Sequence, residues 1–128
     1  MSFSSQARQV VASFAANLGL PAVPAADDSY SFVFERTGTL TFTSALDGER
    51  TLVSLQVRPH RLDEDLERQI LSLAGPDVST NRFLSAGLTK DDQVMFVVAI
   101  EDSEMNLPTI EQCLQQLLAA RADVIGTG

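Results

Sequence analysis

The chain has 128 residues, a formal net charge of −8 and 45% apolar residues. This length predicts a single domain, residues 1–128, with a core of its own. The acidic balance disfavours nucleic acid and anionic membranes as partners, and no apolar run approaches the roughly 20 residues that span a bilayer. One cysteine and one histidine exclude a disulfide scaffold and a Cys/His zinc cluster. With no signal peptide pattern at the N-terminus, we expect a cytosolic protein.

The first predicted element is a helix over residues 4–18. Its apolar residues recur at steps of three and four, which is typical of one buried helix face. Ser4 or Ser5 supplies a cap, and Gly19 followed by Pro21 ends the helix. The face consists of Ala7, Val10, Val11, Phe14, Ala15 and Leu18.

The next segment alternates with period two, which predicts strands. Tyr30, Phe32 and Phe34 share one face of a first strand, and Leu40 and Phe42 share one face of a second. A third strand over residues 51–58 follows a turn at Asp47-Gly48. Three strands joined by short turns predict an antiparallel meander.

The second half predicts a helix, two strands and a final helix. Asp63-Glu64-Asp65 places carboxylates at the positive end of a short helix whose apolar face includes Leu66 and Ile70 and which ends at Gly75-Pro76. Strands follow over residues 82–89 and 93–101. The apolar run of the second of these predicts a central strand covered on both faces. The last helix is predicted to begin after Asn106 and to reach about residue 123. Pro108 is tolerated in its first turn, and Thr109 and Gln112 have capping-box spacing.

The predicted order is therefore α-β-β-β-α-β-β-α. It is typical of an α+β fold in which helices pack on an antiparallel sheet. The loop over residues 77–81 separates the second helix from the last two strands.

The polar inventory predicts no catalytic, cofactor or metal site. His60 lies in a strand-to-helix junction without a nucleophile nearby, and Cys113 lies on the apolar face of the last helix, where an inert buried thiol is expected. The carboxylates Asp63, Glu64, Asp65 and Glu67 point around a helix and do not converge on one cation. What remains is surface for binding protein, and the second helix is the best candidate for pairing with its twin in a homodimer.

The order of elements, the length and the acidity resemble those of the class I type III secretion chaperones, the group that includes the Tir chaperone. The resemblance includes a first helix ending in Asn17-Leu18-Gly19-Leu20-Pro21 and an aromatic strand Ser31-Phe32-Val33-Phe34-Glu35. It continues through a helix over residues 66–75, a hairpin closing on residues 94–100 and an amphipathic last helix. It covers nearly the whole chain.

This resemblance implies a homodimer in the bacterial cytosol that binds the N-terminal segment of a secreted effector and keeps it extended. It implies no cofactor and no metal. The dimer interface then maps onto Leu66, Ile70, Leu71 and Leu73. Effector contact maps onto Val10, Val11, Phe14, Phe32, Phe34, Leu40 and Phe42, some of which must be core instead.

Two alternatives remain open from the sequence. A regulatory protein of the same fold would use the same surface to sequester a regulator of secretion genes. A small ligand-binding or catalytic α+β domain would instead need a pocket with a perturbed acid or base, and His60 and Cys113 are its only candidates.

Overall fold

The computed structural model describes residues 3–26, 28–34, 36–45, 49–59, 63–76 and 82–125. Within these ranges the chain forms three α-helices, six strands and one 3-10 turn. Their bounds are α1 Ser5–Asn17, β1 Tyr30–Phe34, β2 Gly38–Ala45, β3 Arg50–Val57, α2 Glu64–Leu73, β4 Gly75–Pro76, β5 Phe83–Leu88, β6 Val94–Glu101, the 3-10 turn Asp102–Glu104 and α3 Leu107–Ile125.

The strands form one antiparallel sheet in the order β1-β2-β3-β6-β5-β4. The meander β1–β3 makes one half of the sheet and β4–β6 the other. The halves meet where β3 pairs with β6, with Arg50 opposite Glu101 at one end and Val57 opposite Val94 at the other. This pairing places the most apolar strand, β6, in the middle of the sheet. The predicted α+β fold and its order of elements are confirmed, with the two-residue β4 as an addition.

The ends of α1 follow from its sequence. The Ser4 hydroxyl accepts a hydrogen bond from the Ala7 amide at 3.1 Å, which caps the start of the helix. At the other end Gly19 has a φ of +72°. The Leu20 amide folds back to the Ala15 carbonyl at 2.9 Å, as in a Schellman motif.

The core lies between one face of the sheet and the three helices. On the β1–β2 side Phe14 of α1 meets Phe32 and Phe42 edge-to-face, with ring centroids 6.3 and 5.5 Å away. The helix α3 contacts β3 and β6, and α2 contacts β5. The core of fully buried residues includes Val11, Leu40, Phe42, Val53, Leu55, Val94, Phe96, Val98, Ile100, Ile110, Cys113 and Leu117.

The prediction that β6 is covered on both faces is wrong. Its residues alternate between buried and less buried positions, and Ala99 is exposed. The reason is that α1, α2 and α3 all pack toward the buried face of the strands. In the described part of the chain no element covers the other face, and side chains such as Thr41 and Val97 are only half-buried there.

The predicted capping box at the start of α3 is also wrong. The helix begins at Leu107, and the side chain of Asn106 accepts a hydrogen bond from the Thr109 amide at 2.9 Å. Asn106 is therefore the N-cap, with Pro108 in the first turn. In α2, by contrast, Asp63 caps as its position predicts, since Oδ1 accepts from the Leu66 amide at 2.9 Å.

The sequence does not predict β4, because Gly75-Pro76 is typical of a helix stop. Three sequence predictions lie outside the described residues: the turn at Asp47-Gly48, the loop over residues 77–81, and the junction that contains His60.

Candidate partner-binding surfaces

Most of the residues predicted to contact an effector lie in the core. The buried ones are Val11, Phe14, Phe32, Leu40 and Phe42. They are buried because α1 packs directly on the aromatic row of β1 and β2. In this fold these five side chains pack on the buried face of the sheet and are not accessible to a partner.

The other two predicted residues retain some surface. Val10 and Phe34 are half-buried and pack against the core cluster. Phe34 is the last residue of β1, so it lies at the border between the core and the edge of the sheet.

The edge at β1 is the first candidate surface. Within the described chain β1 pairs with β2 alone, so its other side offers unpaired backbone groups. Val33 on this strand is 78% exposed, the largest exposure among the large apolar residues described. At the opposite edge of the sheet β4 has only two residues, so β1 is the longer edge strand.

The predicted dimer residues on α2 also divide into buried and exposed positions. Leu66 and Ile70 are buried within the chain, and Leu73 is half-buried against the core. Leu71 is 72% exposed. The helix uses one stripe to cover β5 and presents Leu71 to the outside.

Leu71 belongs to a second candidate surface, which we call the α2–β5 surface. It contains a depression of about 220 Å³ lined by Glu67, Ile70, Leu71, Gly87 and Leu88. Leu88 is partly exposed at the rim. Because the lining is mostly apolar and Gly87 carries no side chain, the depression has room for an apolar side chain from outside.

A third apolar region lies where α1 ends. Leu18, Leu20 and Val23 are all exposed, and beyond them the Ala25 amide donates a 2.8 Å hydrogen bond to the Ser29 carbonyl. The Arg8–Asp28 ion pair, at 3.9 Å, links this segment back to α1.

The thiol of Cys113 is buried and lies near a charged pair. Arg82, whose side chain is 15% exposed, contacts Glu104 at 2.8 Å and the Gln112 amide oxygen at 3.3 Å. Burial raises the pKa of Cys113; the Arg82 guanidinium partly offsets this effect and Glu104 adds to it. A raised pKa disfavours the thiolate, which is the nucleophilic form, so the site resembles an inert core thiol.

Within the described ranges the chain brings together no group of three or more His, Cys, Asp or Glu side chains suited to a metal ion. None of the described helices is both long and apolar enough to cross a membrane. Every buried side-chain nitrogen and oxygen in the described residues has a hydrogen-bond partner. The described surfaces singled out above are apolar patches and a strand edge.

Sequence reasoning missed Val33 and Phe83, which is 59% exposed. The sequence contains a signal for both residues, since each is a large apolar residue on the face of its strand opposite to the core residues. The alternation reveals that opposite face, but only the strand order shows that Val33 belongs to an edge.

The comparison with family models identifies the class of protein. The model of the type III secretory system chaperone SycN matches residues 7–125. The chain therefore belongs to this family of type III secretion chaperones, as the sequence resemblance predicts. No curated protein matches the chain by sequence.

Solved structures confirm the fold. A chain of the ExsC-ExsE complex has a TM-score of 0.71 and 22% identity, covering 93% of this chain and 90% of that chain. A chain of the HopA1-SchA chaperone-effector complex has a TM-score of 0.71 and 17% identity, with coverages of 95% and 94%. The type III secretion chaperone SycH of Yersinia pestis, solved with a fragment of YscM2, gives a TM-score of 0.68 and 12% identity, with coverages of 92% and 98%.

Proposed function

We propose that this chain is a chaperone that binds the N-terminal segment of a type III secretion effector and holds it extended at the β1 edge. The observation that carries the proposal is the side of β1 that pairs with no described strand, on a strand whose last two residues are the exposed Val33, on the open face of the sheet, and the half-buried Phe34, on the core face. An unfolded segment that pairs with this edge gains backbone hydrogen bonds and contacts for alternate side chains.

Core residues pack against the buried face of β1 and β2 and so support the edge strand. The buried rings of Phe14, Phe32 and Phe42 pack under β1 and β2. In this proposal the core members of the predicted effector-binding set hold the strand in place, whereas Phe34 and Val10 contribute surface.

The structural relatives support this partner class. The HopA1-SchA structure is a chaperone-effector complex and SycH is a type III secretion chaperone. The family match over residues 7–125 brings the present chain into the same class.

We further propose that the chaperone is a homodimer that uses the α2–β5 surface. Leu71 and the apolar depression beside it support this assignment. Two copies meet there through the same patch, as a twofold axis requires. The net charge of −8 keeps such a chain soluble while apolar surface is reserved for its partners.

The same proposal includes a non-catalytic role in the bacterial cytosol, without a cofactor. Membership in the chaperone family supports it. The inert environment of Cys113 also supports it, because burial disfavours the reactive thiolate.

The test is binding of the N-terminal segments of secreted proteins encoded beside this gene, each purified as a fusion to a soluble carrier. We expect one of them to bind and to slow hydrogen exchange at alternate β1 amides, as strand addition requires. Val33→Lys places a charge at the edge and should weaken binding about tenfold, or ~1.4 kcal/mol.

The matched control is Ala119→Lys, which adds the same charge on the exposed side of α3. It should bind as the wild type does. The proposal is wrong if no secreted segment binds, or if binding leaves β1 exchange unchanged and Val33→Lys without effect.

The regulatory alternative predicts the same surface and a different partner. If the protein captured through β1 is a regulator of secretion genes and no secreted segment binds, the chain is a sequestering protein of this fold.

A further inference from the structure

The last turns of α3 reach across to the hairpin that carries β1. Arg121 donates a hydrogen bond from Nε to the Thr37 carbonyl at 2.9 Å and another from an Nη nitrogen to the Arg36 carbonyl at 2.7 Å. Arg36 and Thr37 lie in the turn between β1 and β2. One guanidinium therefore binds two successive backbone carbonyls 84 and 85 residues away in sequence.

Such support matters for the hairpin because β1 is short and, within the described chain, pairs with β2 alone. Its partner β2 is paired with β3 on the other side, so β1 has fewer described strand neighbours than β2 or β3. The rings of Phe14 and Phe32 fix the middle of the hairpin on α1. Arg121 fixes the turn at its end.

The base of this contact is rigid. The helix α3 is anchored on the sheet by its buried residues Ile110, Cys113, Leu117 and Ala120. The position of the Arg121 backbone is therefore set by the core, and the guanidinium transmits that position to the turn.

We propose that Arg121 is a positioning residue that holds the β1 edge in register for the partner segment. This inference rests on the proposed function at β1. The planar fork of arginine suits two neighbouring carbonyls, whereas the single ammonium of lysine does not match both. Loss of the contact should loosen the hairpin locally and leave the centre of the sheet intact.

The test compares Arg121→Gln, Arg121→Lys and a control, Arg68→Gln. The control removes the same charge from an exposed arginine on α2 whose ion pairs are to Glu64 and Asp65. Hydrogen exchange is measured on each purified protein without partner. In Arg121→Gln we expect the amides that pair β1 with β2 to exchange roughly tenfold faster, with β3–β6 unchanged. The exchange rates of these amides in Arg121→Lys should lie between those in Arg121→Gln and those in the wild type. In Arg68→Gln they should match the wild type.

Unchanged exchange in the hairpin of Arg121→Gln overturns the inference. An equal rise in β3 and β6 also overturns it, since Arg121 would then support the whole fold rather than the edge.

Affinity for the secreted segment separates this inference from the proposed function. If the wild type binds no segment, the proposed function fails whatever Arg121 does. If the wild type binds and Arg121→Gln binds equally well despite a looser hairpin, the positioning role alone fails.

Discussion

Gly38 occupies a position where any side chain would be strained. Its φ is +129°, in the region that favours glycine, and an added Cβ would lie 2.3 Å from the carbonyl oxygen of Gln56. The residue starts β2 directly after the turn that Arg121 holds, and β2 approaches β3 closely there. Backbone conformation and close approach thus require glycine together.

We expect Gly38→Ala to destabilise the fold by about 2–4 kcal/mol, through both backbone strain and a clash with β3. Urea unfolding followed by circular dichroism measures this change. The control is Gly19→Ala, where φ is also positive (+72°) but an added Cβ meets nothing within 4 Å, so it carries the backbone strain without the clash. Equal stability of the two variants would contradict the assigned role of Gly38.

At the residue scale the sequence predicts a short turn between the first two strands but not the contact of Gly38 with Gln56. That contact depends on the pairing register of Thr39 with Gln56, which is set by strands on both sides. Similarly, the pattern predicts Phe14 and Phe42 as apolar face residues. It cannot decide between core and binding surface, because both require the same periodicity.

The elements show which local signals decide a boundary. In α2 the acidic start predicts the cap at Asp63, and the structure confirms it. In α3 two signals compete, since both Asn106 and Thr109 are capping residue types. Pro108 decides in favour of Asn106, because proline is well suited to the first turn that such a start creates.

We expect Asn106→Ala to lower the free energy of unfolding by about 1 kcal/mol, since the Thr109 amide loses its acceptor. Gln115→Ala, at an exposed site in the middle of α3, is the control and should be neutral. Chemical denaturation of the two variants checks the assignment. If the free energy of unfolding of Asn106→Ala equals that of the wild type, another group caps the helix.

The composition of β6 explains why the sequence wrongly predicts that both of its faces are covered. Met95 and Val97 are apolar, as in a strand buried on both sides, yet they lie on the face that no described helix covers. Only the placement of all three helices on one side reveals this, and helix placement is a tertiary property.

At the scale of the whole molecule the α2–β5 surface makes a prediction about assembly. Leu71→Asp puts a charge into the proposed dimer contact, and we expect it to weaken the dimer by about 2–4 kcal/mol, enough to give monomers at micromolar concentration. Light scattering coupled to size exclusion measures the molecular mass. Because Leu71 is exposed within the chain, the monomer should remain folded.

The matched control is Val23→Asp, since Val23 is 69% exposed and lies in the loop after α1. It should stay dimeric. Ile70→Asp is unsuitable as a probe, because Ile70 is buried within its own chain and the variant would unfold in either case. A dimer that survives Leu71→Asp would place the interface elsewhere.

The central pairing of β3 with β6 also has a kinetic consequence. Residues 50–57 and 94–101 are far apart in sequence, yet their strands form the middle of the sheet. The start of α1 depends on the far end of the chain as well, since Ser4 donates to Asp102 at 2.6 Å and Gln6 to the Met105 carbonyl at 2.9 Å. Such high contact order predicts folding in milliseconds to seconds. On the ribosome the β1–β3 meander can form early, whereas the core closes only after α3, whose buried residues extend to Ala120, has emerged.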